Sequence, residues 1–237
     1  MAMTAPTPLD DLISLADPIR AQHSARYFKT GPGQYGQGDQ FLGLTVPKVR
    51  RIAKRWRDLP LAEVEDLLHC PWHEARLLAL LIWVGQCERG DDAVRRTICD
   101  RYLAHTAFIN NWDLVDTSAP TIVGGWLWRH PNPPLLDRLA VSESLWERRI
   151  AVLATFTFIK NGRFLESLEL AEGLLGDRED LIHKAVGWML REVGKRDFDL
   201  ALTFVQQHCR TMPRTMLRYA IEKYPEGLRQ DLLKGQA

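Results

Sequence analysis

The residues best suited to chemistry lie in the stretch Asn110-Asn111-Trp112-Asp113-Leu114-Val115-Asp116. If Asn111 caps a helix, Asp113 falls in its first turn, where a carboxylate complements the helix dipole. Asp116 follows Trp112 by four residues, so the two share a helix face. A carboxylate beside an indole at the edge of an apolar stripe is costly unless it is paired or used. The commoner role of such a pair is structural, with the tryptophan in a core and the aspartate held by a neighbouring arginine. Arg149, in Trp146-Glu147-Arg148-Arg149, and Trp188, in Lys184-Ala185-Val186-Gly187-Trp188, belong beside them. Alone, the first more often lies on a solvated helix face and the second more often packs in a core. Gly187 sits mid-helix, at a cost of about 1 kcal/mol relative to alanine. That points to the close approach of another backbone or of a ligand.

Helical periodicity dominates the elements that must position these residues. The run from Glu74 places Leu77, Leu81 and Val84 on one face and ends at Gly90. A second run starts at Ser144, with Glu147 completing a capping box, and stops at Asn161-Gly162. Four further helical segments follow to Pro225, joined by short polar connections. Thr45 before Val46-Pro47 and Asn111 before Trp112 are further helix starts. No segment sustains the period-two alternation of a half-buried strand, so the expected class is all-α.

A basic residue before apolar and small ones recurs at Arg76, Arg149, Lys184 and Arg218, with separations of 73, 35 and 34 residues. The first interval is about two of the later ones, and its middle falls near Trp112. A unit of this size is one helical hairpin, and stacked hairpins bury faces that no hairpin buries alone. The tetratricopeptide pattern is missing, so the expected architecture is an irregular, curved HEAT-like solenoid in one domain, residues 1–237. Trp112, Arg149 and Trp188 occupy nearly equivalent places in successive repeats. A concave face would then present an aromatic, a carboxylate, an arginine and a second aromatic in a row, as a site for a positively charged sugar or nucleotide needs.

Composition narrows the alternatives. The chain has 237 residues, 46% of them hydrophobic, and 31 Lys+Arg against 30 Asp+Glu give a net charge of +1. Bulk charge therefore gives no warrant for a nucleic-acid or membrane partner, and any basic site must come from local clustering. The four cysteines form no C-x-x-C pair and read as reduced thiols. Neither a secretory signal nor an apolar run of about 18 residues is present, which makes a soluble, cytoplasmic protein the expectation. His69 and His73 are four apart, but Pro71 breaks the helix that would align them as metal ligands, so no metal site is expected. The loop Gly31–Gln40 reads either as a flexible surface connection or as a loop closing on a ligand beside Tyr27. Trp126 and Trp128 read as helix packing.

The stretches Ala25-Arg26-Tyr27, Phe41-Leu42-Gly43, NNWDLVD, LWERR and KAVGWMLRE together resemble, in the same order, the AlkD family of bacterial DNA alkylation repair glycosylases. The resemblance runs from about Tyr27 to Glu192. It implies a HEAT-like fold and excision of cationic N3- and N7-alkylpurines from duplex DNA, without flipping the base into a pocket. Carried over position by position, Trp112, Asp116 and Trp188 match the catalytic cleft, Arg149 a DNA-backbone contact, and Tyr27 an aromatic lining the cleft. Arg191, Lys195, Arg196, Arg210, Arg214 and Arg218 are candidate phosphate contacts, although any one of them alone more often lies on a solvated helix face. The enzyme is expected to be monofunctional, since no lysine stands where a Schiff base would form. No cofactor and no obligate protein partner are expected. The remaining readings are a non-catalytic DNA-binding relative and a helical-repeat scaffold for a protein partner.

Overall fold

The computed structural model describes residues 6–236; Met1–Ala5, part of the stretch read above for a secretory signal, lies outside them. Among the described residues there are helices, turns and one isolated bridge between Gln40 and Trp72, but no strand. The all-α expectation holds. The chain falls into two compact units, the first ending at Ser118 and the second beginning at Ala119.

The first unit opens with α1 (Pro8–Ile13), α2 (Pro18–Tyr27) and α3 (Val46–Arg55). Two hairpin-like pairs follow. The first joins α4 (Leu61–Leu68) to α5 (His73–Arg89), and the second joins α6 (Asp92–Ala104) to α7 (Trp112–Ala119). Aspartates set several helix starts, as at Asp17 and Asp91, whose carboxylates accept from the N–H groups of Arg20 (3.0 Å) and Val94 (2.9 Å). The helix from Glu74 forms as expected and ends at Gly90, yet its environment differs from an amphipathic one. Residues 73–80 are all buried, whereas Leu81 and Val84 are only half-buried. Its own Leu78 and Trp83 are fully buried, as are Ile98, Tyr102 and Leu114 of the neighbouring helices.

Glu74 has an architectural role. Its buried carboxylate accepts from the backbone N–H groups of Leu42 (2.9 Å), Gly43 (2.7 Å) and Leu44 (3.1 Å). This fixes the Phe41-Leu42-Gly43 segment against α5. Gly43 has φ +86°, and a Cβ there would lie 2.2 Å from the Asp17 carbonyl oxygen, so only glycine fits.

The second unit contains α8 (Gly125–Arg129), α9 (Pro133–Ala140), α10 (Leu145–Lys160), α11 (Leu165–Gly173), α12 (Asp180–Gly194), α13 (Phe198–His208), α14 (Arg214–Ala220) and α15 (Glu226–Lys234). Here α9/α10 and α11/α12 pack as successive helical pairs, α13 and α14 follow in chain order, and α12 packs against α10, α13 and α14. This is the hairpin repeat expected from the spacing. Arg149 and Lys184 lie on the second helices of their pairs, as Arg76 does in α5, and Arg218 lies on α14. The capping box at Ser144 is half formed. Its hydroxyl accepts from Glu147 N–H (3.4 Å), but the Glu147 carboxylate accepts from the Ser142 hydroxyl (2.6 Å), and the Ser144 N–H donates to Ser142 Oγ (3.1 Å). Trp128 packs by Phe158 and lies under the Arg163 guanidinium, in the structural role expected of it.

Gly187 is explained by a backbone. A Cβ there would lie 2.4 Å from the Met216 carbonyl oxygen and 2.5 Å from Tyr219 Cβ, so its absence lets α12 and α14 touch. Gly173, at the end of α11, has nothing within 4 Å of the same position. Gly187→Ala should therefore destabilise the protein by about 1–3 kcal/mol through overpacking. Gly173→Ala should stabilise it by up to about 1 kcal/mol through helix propensity. Urea denaturation midpoints moving in opposite directions would bear out this packing; a neutral Gly187→Ala would refute it.

Candidate active site

In the first unit the chemistry-bearing residues assemble around the start of α7. Asn111 is fully buried; its carbonyl accepts the Val115 N–H (3.2 Å) and its side-chain oxygen the Trp112 N–H (2.9 Å). It is the helix cap that the sequence suggested. Trp112, at the first helical position, is half-buried and stacks on Phe28 at 5.4 Å between ring centroids. Tyr27 meets Trp112 edge-on at 6.0 Å and is 65% exposed. The structure therefore brings Tyr27 and Trp112 together, with Asp116 one turn further along α7 and half-buried. Burial pushes the Tyr102 phenol up, and Asp116 lies close enough for its negative charge to add to that shift.

Asp113 has a task beyond the helix dipole. Its Oδ2 accepts from His73 Nε2 at 2.8 Å, while His73 Nδ1 donates to Asp39 Oδ2 at 3.3 Å. Both ring nitrogens face carboxylates, which is the pattern of a doubly protonated imidazolium. Burial opposes that charge, but the bonds to Asp113 and Asp39 outweigh it and hold the imidazole up to about 9. Asp39 is burdened by burial too, yet His73 and Arg76 bring its carboxyl down to about 2. Arg76 Nη2 reaches Asp39 at 2.7 Å and its Nη1 reaches Asn110 at 2.6 Å. Asn110 and Asn111 each add a 3.3 Å bond to Asp39. Phe28 and Phe41 pack against the imidazole with centroids 4.9 and 4.6 Å away.

Sequence reasoning missed His73 as a functional residue. The nearby signal it weighed, the four-residue spacing from His69, leads elsewhere, because His73 begins α5 and turns into this network. Its partners stand 34 and 40 residues away, so no local pattern could announce them. The Gly31–Gln40 loop is tied in by the same network through Asp39. Within it, Gly36 N–H donates to the Lys29 carbonyl (3.1 Å), and a Cβ on Gly36 would lie 2.3 Å from the Phe28 carbonyl oxygen.

In the second unit, Arg149 is buried rather than on a solvated face, and its Nη1 donates to the Leu181 carbonyl. Its neighbour Arg148 pairs with Asp177 at 2.7 Å. Trp188 is half-buried, 5.7 Å from the Phe156 ring, and its Nε1–H donates to Glu192 Oε1 at 3.3 Å. It stands seven residues beyond Leu181, roughly 10 Å along α12. The structure gathers Trp188, Lys195 and Arg196 around one carboxylate, Glu192, which both cations contact. Burial would raise the Glu192 pKa, but Lys195 and Arg196 bring it down. Arg191 pairs with Glu222. Arg210 donates to the Gly235 carbonyl and Arg214 to the Leu233 carbonyl (2.6 Å). Arg218 is exposed on α14.

The fold and these residues define a helical-repeat protein with an aromatic and carboxylate cluster at one helix start. The sequence matches the family described as DNA alkylation repair enzyme over residues 9–224. The chain belongs to that family. In fold it is similar to a predicted DNA alkylation repair enzyme from Enterococcus faecalis, with a TM-score of 0.71 and 17% identity. That similarity covers 89% of this chain and 97% of the other. Among curated proteins there is no significant match. No described helix is long and apolar enough to cross a membrane.

The charged network sets a pH dependence. The raised His73 value means its stabilisation is fully present below about pH 6.5 and is lost as pH rises through about 9. The lowered Asp39 value means its share is present above about pH 3.8 and is lost as pH falls through about 2. His73→Gln should cost about 3–5 kcal/mol, because it takes the cation from Asp113 and leaves the buried Asp39 with Arg76 alone. It should also flatten the fall in stability between pH 6.5 and 9, as measured by urea denaturation across that range. A variant with the wild-type pH profile would show that His73 is neutral.

Proposed function

We propose that this protein is a monofunctional DNA glycosylase that hydrolyses the N-glycosidic bond of cationic N3- and N7-alkylated purines in duplex DNA. The observation that carries the reading is the pairing of Trp112 with exposed Tyr27 on one side and Asp116 one turn away, at a helix start held by a buried charge network. An alkylated purine already carries a positive charge and leaves without prior protonation. The C1′–N bond breaks, its electron pair departs with the base, and positive charge develops on the deoxyribose. Asp116 stabilises that charge and orients the water that attacks C1′; the proton of that water is lost to solvent. The face of Trp112 packs on the sugar and adds cation–π attraction, with Tyr27 lining the same site.

Because this machinery addresses the sugar, the base has no need to leave the stack, and the reaction proceeds without base flipping. Arg149 is a phosphate contact in this reading, with its guanidinium steadied by the Leu181 carbonyl. Arg191, Lys195, Arg196, Arg214 and Arg218 supply backbone contacts that fix register without reading sequence. The whole chain acts as one catalytic domain in base excision repair in the cytoplasm, with duplex DNA as its partner and neither cofactor nor obligate protein partner.

Single-turnover release of 7-methylguanine from duplex DNA tests this. Asp116→Asn should slow release on the order of 10²–10³-fold, with DNA affinity retained. Release that is unaffected by the substitution would remove Asp116 from the chemistry. A wild-type protein that binds DNA but releases no base would overturn the glycosylase reading.

A further inference from the structure

Away from these residues, the first unit holds a second constellation of ligand-type side chains. Glu65 and His69 are four residues apart at the end of α4, with His69 as its αR-conformation C-cap, so both project from one helix face. His105, the C-cap of α6, faces them. One potential ligand atom from each residue lies within 4.8 Å of the other two. The residue after His69 is Cys70 and Pro71 follows, so the helix ends where the chelating pair is complete.

We propose that Glu65, His69 and His105 form a binding site for a divalent transition-metal ion of the Zn²⁺ class. Three features carry this. First, His105 Nδ1 hydrogen-bonds to the Arg101 carbonyl at 2.8 Å, so the ring donates there and directs the Nε2 lone pair outward. A backbone carbonyl holding the second nitrogen is the usual support for a ligating histidine. Second, Nε2 lies 3.4 Å from Glu65 Oε1. Two ligands on a tetrahedral zinc, with bonds of about 2.0–2.1 Å, stand about 3.3 Å apart. Third, the other Glu65 oxygen is held by Arg101, which orients the carboxylate while leaving Oε1 to the metal. The His69 ring stands 4.9 Å from that of His105 and 4.4 Å from Phe108, which walls one side. A carboxylate and two imidazoles suit zinc, and a water completes the fourth position. His69 is exposed and the other two are half-buried, so the ion has a path from solvent. Bound there, it ties the ends of α4 and α6 together.

Isothermal titration of the untagged full-length chain with Zn²⁺ tests the site. The expected result is one ion per chain, with affinity reduced at least about tenfold in both His69→Ala and His105→Ala. Thermal unfolding should shift upward with Zn²⁺ in the wild type and not in His69→Ala, whose exposed side chain can be removed without unfolding the protein. His23→Ala and Cys70→Ser should bind as the wild type does. Absence of saturable 1:1 binding, retained affinity in His69→Ala, or loss confined to Cys70→Ser would each overturn the proposal.

Discussion

The position of the candidate catalytic helix depends on one buried charge cluster. His73 and Arg76 supply two cations, and Asp39 and Asp113 supply two anions. These four groups come from a loop, the first turn of α5 and the first turn of α7. Taking them out of water is expensive, and the cost is recovered only when the geometry lets each charge meet its opposite. Meeting that requirement ties the α7 N-terminus to α5 through the Asp113–His73 contact. Asp113 is the residue after Trp112, so wherever the network sets Asp113 it also sets the indole.

Apolar contacts complete the arrangement. Phe28 touches both Trp112 and His73, and Phe41 stacks on Phe28 and on His73. Phe41 in turn opens the segment whose following N–H groups are gathered by Glu74. Ring packing and charge pairing thus reinforce one another around a single imidazole. Trp112 and Asp116 therefore stand on a helix whose first turn is held by both ring packing and charge pairing.

The second unit distributes its cations differently. Lys195 and Arg196 share the Glu192 carboxylate, Arg191 is held by Glu222, and Arg148 by Asp177. A phosphate must compete with these carboxylates, so the pairs act as holders of cation geometry more than as a free positive field. Arg210 and Arg214 are different, since each donates to a neutral backbone carbonyl. A chain with a net charge of +1 can present local positive character only through such groups.

Much of this fold could be read from the sequence because its determinants are local. Helical periodicity, the Asn111 cap, the stop at Gly90 and the spacing from Arg149 to Lys184 to Arg218 each depend on residues within a few turns or one repeat. The five ordered stretches likewise pointed to the family that the chain belongs to, and Gly187 correctly signalled a close approach. What the sequence left open was decided by contacts between distant segments. It could not say that the approach at Gly187 is made by the backbone of α14, that Arg149 is buried, or that His73 leaves His69 for Asp39 and Asp113. Nor could it show that His69 faces Glu65 and His105. Periodicity assigns a residue to a helix face, but the charge and protonation of a buried group depend on whatever the rest of the chain packs against that face. Only the tertiary structure supplies those neighbours.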